Sequence, residues 1–255
     1  MLNQFSRTEQ LIGKAGVKVL AASRVAVFGI GGVGGYVAEA LARSGVGALD
    51  LFDSDIICVS NINRQIYATH STVGQYKVDA AKARIKDINP DCEVHTHRCF
   101  YLPENSAQFD FACYDYIVDA VDTVTAKLEI IKNAKAAKVP IICAMGAGNK
   151  LNATAFEVAD IYKTHTCPLA KLMRKLCRNA GIESLKVVYS RETTLTPIAQ
   201  DEEEMAASST LRESGKDNRR HAPGSSAHVP GVAGLIIAGE VVMDLTGIRG
   251  GEITS

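Results

Sequence analysis

Nothing in this chain marks it for a membrane, a secretory route or a zinc module. Its seven cysteines are odd in number and scattered, with no Cys-x-x-Cys pair. That argues against a disulfide framework and a paired-thiolate zinc site, and leaves reduced thiols acting mostly as small core residues. The opening Met1-Leu2-Asn3-Gln4-Phe5-Ser6-Arg7 has no apolar signal core, so secretion is not expected. The most apolar late stretch, residues 229–242, is short for a bilayer span and holds Glu240. Net charge is zero, with 28 basic against 28 acidic residues, so only a local patch could attract a nucleic acid. No internal repeat is present. What remains is the expectation of a soluble cytoplasmic protein. At 255 residues and 47% hydrophobic content, it is long enough to bury one α/β core with an appended lobe.

The chain is organised around residues 25–53. An apolar run, Val25-Ala26-Val27-Phe28, leads into Gly29-Ile30-Gly31-Gly32-Val33-Gly34-Gly35. A helical segment over 36–44 follows, then a second apolar run over 48–52 that ends on Asp53. This is the pattern of a nucleotide-binding βαβ unit. Gly29 permits the tight strand-to-helix turn, Gly31 (with Gly32 beside it) lets the backbone approach a phosphate, and Gly34 lets the helix pack on the strand. Free N–H groups and the dipole at the helix N-terminus favour the anion. Asp53 is placed for a ribose hydroxyl. By itself the motif fits a dinucleotide redox cofactor as well as ATP, and a glycine turn can also be purely structural.

Around this unit the periodicities alternate. Residues 1–22 read as an N-terminal arm, helical over 5–22 with Leu11, Ile12, Ala15 and Val19 on one face. A helix is expected over 78–88, stopping at Asn89-Pro90. Strands are expected at 93–97, 114–121, 140–144 and 156–161, with a helix at about 125–137. Alternating strands and helices of this length predict a Rossmann-like, doubly wound, mostly parallel sheet over 23–160, carrying a C-terminal α/β extension over 161–255. In that extension Leu169, Leu172, Met173 and Leu176 form a helical stripe. Residues 200–228 read as a polar loop and 232–245 as a final apolar helix.

The chemistry-bearing residues gather in the first half. Asp53, Asn61, Arg64, Gln65, Lys77 and Asp122 each follow the carboxyl end of a strand or begin the next helix, where open α/β sheets bind ligands. Two cations, two amides and two carboxylates suit a polyphosphate with Mg²⁺. Taken singly, Arg64 and Lys77 could be surface charges and Asp122 a helix N-cap. Together around a glycine turn they point to ATP. Hydride transfer would need an acid–base pair beside a nicotinamide, and no obvious His/Asp or Tyr/Lys pair occurs after residue 150.

Five motifs then carry a resemblance: Phe28-Gly29-Ile30-Gly31-Gly32-Val33-Gly34, Asp53-Ser54-Asp55, Asn61-Ile62-Asn63-Arg64-Gln65, Val73-Gly74-Gln75-Tyr76-Lys77 and Asp119-Ala120-Val121-Asp122. In order and spacing they resemble the HesA/MoeB/ThiF superfamily, the adenylating enzymes related to ubiquitin activators, over residues 5 to about 160. The resemblance implies that the glycine turn holds the phosphates and Asp53 the ribose. Asn61, Arg64, Gln65 and Lys77 would surround the phosphates and Asp122 would hold Mg²⁺. Arg7 matches an arginine that reaches the partner subunit's ATP in such dimers, so a homodimer is implied. A carboxylate would attack the α-phosphate, giving an acyl-adenylate and pyrophosphate. Tyr76 stands where a proline is common, a change expected to alter the loop's rigidity more than its chemistry.

The second half decides which carboxylate. Superfamily members that activate ubiquitin-like carriers often have paired Cys-x-x-Cys motifs, absent here. Asp160-Ile161-Tyr162-Lys163-Thr164, Pro168-Leu169-Ala170-Lys171 and Pro223-Gly224-Ser225-Ser226-Ala227-His228 instead resemble the tRNA-modifying branch. There the threonyl carboxylate of threonylcarbamoyladenosine is adenylated, and the neighbouring carbamoyl closes a ring and expels AMP. Residues 163–191 fit a tRNA. Seven Lys/Arg (163, 171, 174, 175, 178, 186 and 191) against Glu183 leave seven minus one, +6. Lys163, Lys171, Arg174, Lys175 and Arg178 are the candidate phosphate contacts. Tyr162 and Tyr189 are candidate stacking platforms for splayed bases. An ordinary amphipathic helix with a solvated basic face is the plain alternative. Cys167, before Pro168 among cations, could form a thioester, whereas Cys177 is expected to pack. The rival functions are activation of a sulfur-carrier protein, an NAD-dependent oxidoreductase and a non-catalytic scaffold. A sulfur-transfer partner protein and a monovalent cation site stay open.

Overall fold

The structure is a computed structural model that describes residues 3–198 and 223–249. One seven-stranded sheet runs through it in the order β3-β2-β1-β4-β5-β7-β6. The strands are β1 (Arg24–Phe28), β2 (Ala48–Phe52), β3 (Glu93–His97), β4 (Tyr116–Asp119), β5 (Ile141–Ala144), β6 (Phe156–Asp160) and β7 (Lys186–Ser190). Every pairing is parallel except β6 on β7. Among the described residues six α-helices flank it: α1 (Ser6–Ala22), α2 (Gly34–Ser44), α3 (Lys77–Ile88), α4 (Val124–Ala136), α5 (Pro168–Asn179) and α6 (His228–Thr246). The expected mostly parallel, doubly wound sheet is what forms.

The parallel strands carry near-continuous apolar runs because both faces are covered. On one face Leu20, Leu41, Ile85 and Ile237, from α1, α2, α3 and α6, pack with Val25 and Leu49. On the other, Ile130, Ile131 and Met173, from α4 and α5, pack with Phe28, Phe52 and Ile117. Chain progression goes outward one way through β2 and β3 and the other way through β4 and β5, so the order reverses between β1 and β4. Phe28 is in register with Phe52 on one side and Asp119 on the other. The residues that follow these three therefore open side by side onto the crevice where such sheets bind ligands.

Several local expectations are corrected. In α1 the inward row is Ile12, Gly16 and Leu20, while Leu11 (71% exposed) and Val19 (40%) face outward with Ala15. Gly13, at φ 68°, kinks the helix into two stretches. In α5 the buried row is Ala170, Met173 and Cys177, and Leu172 is exposed. Met173 of the expected stripe is buried and Leu169 and Leu176 pack partly against the same core, so Leu172 is the stripe residue that faces solvent. α6 begins at His228, four residues before the expected start at 232, and is long and apolar enough by composition to cross a membrane. Half of it is buried against the protein, chiefly on α2. β7 was not expected as a strand; the polar loop assigned to 200–228 lies mostly outside the described residues.

One buried charge ties three strands. Asp50, fully buried in β2, accepts from Arg24 Nε (2.7 Å) and Nη2 (2.9 Å) and pairs with His97 Nε2 at 3.0 Å. Burial alone would raise its carboxyl; the bonds from His97 and Arg24 outweigh that and hold it below the ordinary range. A depressed folded pKa means stability that is present above the unfolded value and lost as pH falls through the folded one. Asp50→Asn is thus expected to cost about 1.5–3 kcal/mol at neutral pH. The gap to the parent should close below about pH 4, as followed by urea unfolding across pH.

Candidate nucleotide site at the sheet's switch point

The glycine turn is built by steric necessity. Gly29 takes φ 86° directly after β1, a conformation that costs glycine least. At Gly34 a Cβ would fall 1.8 Å from the Gly29 carbonyl oxygen. Gly34→Ala cannot be relieved by a side-chain rotation, because the obstacle is backbone. It is expected to cost at least the upper end of the usual 1–3 kcal/mol for overpacking, roughly, and to abolish ATP binding, as read by a thermal melt and calorimetry.

Asp53, just past β2, ties this turn to its neighbours. One carboxylate oxygen accepts Ile30 N–H at 2.8 Å and the other Asp55 N–H at 2.8 Å. Burial raises its carboxyl above the ordinary range, opposed by the charge of Lys77. Lys77 opens α3 and is 7% exposed. Its Nζ lies 2.6 Å from Asp55 Oδ2 and 3.8 Å from Asp53 Oδ1. An antiparallel bridge between Ile56 and Tyr76 brings it there. Tyr76 sits at φ −62°, the angle proline enforces, so the backbone of the loop keeps the shape a proline would impose.

Arg64 and Gln65 close over the glycines from the loop after β2. A Cβ at Gly31 would come within 4.0 Å of Gln65 Nε2, and one at Gly32 within 3.6 Å of Arg64 Cγ. Arg64 Nη1 donates to the Ser60 carbonyl (2.8 Å) and Asn63 Oδ1 (2.9 Å), with no carboxylate paired to it among the described residues. Burial lowers its pKa, which marks a half-buried cation in want of an anion. Asn61 is used locally, its Oδ1 accepting Cys58 N–H at 3.1 Å. Residues 223–230 wall the other side: Asn63 Nδ2 donates to the Ser225 carbonyl at 3.0 Å, and Pro230 would meet a Cβ at Gly32 at 3.3 Å.

Asp122 lies exposed in the turn between β4 and α4. Thr123 occupies the N-cap, so Asp122 is not the cap; among the described residues its carboxylate meets only the Thr123 hydroxyl, at 3.4 Å. Arg7, exposed on α1, forms no ion pair among the described residues. The structure thus brings the glycine turn, Asp53, Arg64, Gln65 and Lys77 together at one rim with Asp122 beside them. Arg7 is left outside that grouping.

A family model described as the ThiF family matches residues 5–254. The chain belongs to the ThiF family. It is 47% identical over 251 residues to the tRNA threonylcarbamoyladenosine dehydratase of Bacillus subtilis, across 96% of this chain and 95% of that one. Two Escherichia coli structures of tRNA N6-threonylcarbamoyladenosine dehydratase superpose with a TM-score of 0.82. The one in complex with ATP is 31% identical and the one with AMP 32%, each covering 96% of this chain and 94% of that one.

Beyond this rim, α5 carries the basic residues. A Cβ at Gly146, just past β5, would lie 3.8 Å from both Cys167 Sγ and Leu169 Cβ, so α5 starts at the same rim. Lys171, Lys175 and Arg178 are exposed at i, i+4 and i+7, on one face; Lys163 is exposed as well. Arg174 is half-buried and donates to the Thr164 carbonyl (2.8 Å) and hydroxyl. Lys186 is paired to Glu240 and Asp244, and Arg191 to Glu157, so the exposed unpaired charge is smaller than +6. Tyr189 is 1% exposed, with its hydroxyl on Glu157 at 3.0 Å. It cannot stack a base. Tyr162 keeps one ring face under Arg178, at 5.6 Å, and donates its hydroxyl to Ile182. Cys167 is 2% exposed, which withdraws it from thioester chemistry, and Cys177 packs fully buried as expected.

Three further residues belong to this rim. Asp55 holds Lys77, and the Asp53-Ser54-Asp55 motif contained that signal. Asp119 and Lys127 form a fully buried pair behind Asp122. Lys127 gave no sequence signal, since a lysine in α4 reads like any solvated helix charge.

Proposed function

We propose that this chain uses ATP to dehydrate threonylcarbamoyladenosine in tRNA. The observation that carries this is the convergence of two cations on the glycine turn at the β1/β4 switch point: Arg64, with no carboxylate partner among the described residues, and Lys77, held there by Asp55 and Asp53. In the reading we favour, Gly29, Gly31, Gly32 and Gly34 leave room for the phosphates, whose oxygens meet Arg64, Gln65 and Lys77. Asp53 anchors the turn and meets the ribose, and Asn61 holds the Arg64 loop. Asp122 supplies a carboxylate for Mg²⁺, an ion commonly held by one or two carboxylates together with substrate phosphates. No cluster of three or more metal-binding side chains occurs among the described residues, which suits a metal completed by the triphosphate. When bound, Mg²⁺ would neutralise charge on the phosphates.

The substrate's threonyl carboxylate attacks the α-phosphorus, the bond to the pyrophosphate breaks, and an acyl-adenylate results. The carbamoyl group then attacks the acyl carbon, closes the ring and expels AMP; the oxygen lost from the carboxylate leaves on AMP. Arg64 and Lys77 stabilise the charge that grows on the phosphates in the first step. The second step needs no cysteine, because an intramolecular nucleophile is already at high effective concentration. We assign residues 23–160 to adenylation and the segment from 161 to the tRNA. Lys163, Lys171, Lys175 and Arg178 contact the phosphate backbone, with Arg174 fixing the start of α5.

Leu11 and Val19 of α1 and Leu235 of α6 are exposed, and α1 packs on α6. An apolar surface of this kind suits a homodimer, in which Arg7 would reach the partner's triphosphate. Residence in the cytoplasm, with the tRNA pool, belongs to the same proposal. Activation of a sulfur-carrier protein would leave the exposed cations of α5 without a role, and a redox function would leave Arg64, Lys77 and Asp122 without one. The test is substrate dependence. AMP should appear with tRNA carrying the threonylcarbamoyl group and not with the same tRNA lacking it; equal AMP from both would refute the substrate assignment.

A further inference from the structure

The strangest pair of charges in the molecule lies just beneath the rim. Lys127 in α4 and Asp119 at the end of β4 are both wholly buried, with Nζ 2.6 Å from Oδ2. The same ammonium donates to the carbonyl of Ala144, the last residue of β5, at 3.0 Å. The other oxygen of Asp119 accepts the N–H of Val121 at 3.2 Å, one residue before Asp122. Between them Ala120 abuts the phosphate turn: its carbonyl oxygen would lie 2.8 Å from a Cβ at Gly29, and its Cβ 3.2 Å from one at Gly34. One lysine thus joins the ends of two strands to the turn that carries Asp122 and presses on the glycines.

Stability does not explain such a pair. Taking two charges out of water costs about what their attraction returns, and well-packed apolar replacements are often as stable or more so. What a buried pair with directional hydrogen bonds does supply is a fixed geometry. We infer that Lys127 is a positioning residue for the adenylation step, acting through Asp119 to fix the β4–α4 turn so that Asp122 faces the metal-bound triphosphate. The inference rests on the assignment of Asp122 proposed above.

The test uses the full chain with ATP, Mg²⁺ and threonylcarbamoyl-tRNA. In the double variant Asp119→Leu/Lys127→Met the charges are gone and the volume is roughly kept. It should melt cooperatively and bind tRNA as the parent does. Its half-saturating magnesium concentration for AMP formation should rise about 10–100-fold, as when groups behind a metal ligand are removed. Should that variant fail to fold, Asp119→Asn/Lys127→Met, which keeps the shape at 119 and leaves no unpaired buried ammonium, is measured instead, with the same shift expected. A merely structural pair would lower the melting temperature and leave the magnesium titration of the folded protein where it was, and that result overturns the inference. Asp122→Asn is titrated in parallel. If it shifts magnesium dependence while the Asp119 and Lys127 variants do not, the positioning role alone is wrong. If Asp122→Asn shifts nothing, the metal assignment falls and the inference with it.

Discussion

Replacing Lys77 with alanine is expected to lower AMP formation by about 10²–10³-fold, the usual loss when one preorganised donor to a developing anion is removed. Lys77 is the most constrained cation at the rim. Its stem is buried at the start of α3, and its ammonium sits 2.6 Å from an exposed Asp55 and 3.8 Å from Asp53. A triphosphate entering the turn meets a charge already held in place, so little reorganisation accompanies the transition state. The fold should persist. The partner at 2.6 Å is solvent-exposed and exposed pairs contribute little, and the lysine N–H bond to the Asp55 carbonyl, 3.0 Å, survives in alanine. Pyrophosphate exchange and a melting curve on the same preparation separate the two effects. Full activity in Lys77→Ala would remove the phosphate-site assignment. Lost activity together with a lost melting transition would say only that Lys77 holds the start of α3.

Reversing the exposed face of α5 should act on the other substrate. With Lys171, Lys175 and Arg178 all changed to glutamate, tRNA binding is expected to weaken and to lose salt dependence. Three phosphate contacts at about 0.7–0.9 each remove roughly 2–3 from the slope of log affinity against log salt. ATP affinity should not move, because these side chains are solvent-exposed on α5 beyond its start at the rim. Arg174 is the internal comparison: it is bonded to Thr164, so Arg174→Glu should lower the melting temperature before it touches the salt slope. Filter binding across a salt series measures all four positions. An unchanged slope in the triple variant would make α5 an ordinary amphipathic helix with a solvated face.

The parts of this molecule legible in the sequence are those where one residue type is the only solution. Gly29 and Gly34 can be read because a Cβ there meets backbone, and the strands around them because burial on both faces demands continuous apolar runs. Gln65, Arg64 and Lys77 could be placed by their position after strand ends, and the structure brings them together. Where several residues solve the same problem, the sequence does not choose between them. The rows Leu11/Ala15/Val19 and Ile12/Gly16/Leu20 are both credible helix faces, and the packing of α1 on the rest of the fold decides between them. In α5 Met173 is buried and Leu169 and Leu176 are partly so, while Leu172 faces solvent and Ala170 and Cys177 complete the buried row. Tyr189 alternates into the core from a strand that went unrecognised inside a charged segment. Asp119 and Lys127 escape because a charge pair's burial is a property of the assembled sheet, with no local signature.

The most direct measurement is nucleoside mass analysis of threonylcarbamoyl-tRNA after incubation with the purified protein, ATP and Mg²⁺. The nucleoside should lose one water, with one AMP formed for each nucleoside converted. An unaltered nucleoside beside steady AMP formation with a carrier protein ending in Gly-Gly would contradict the tRNA assignment and place the chain with the carrier-activating enzymes.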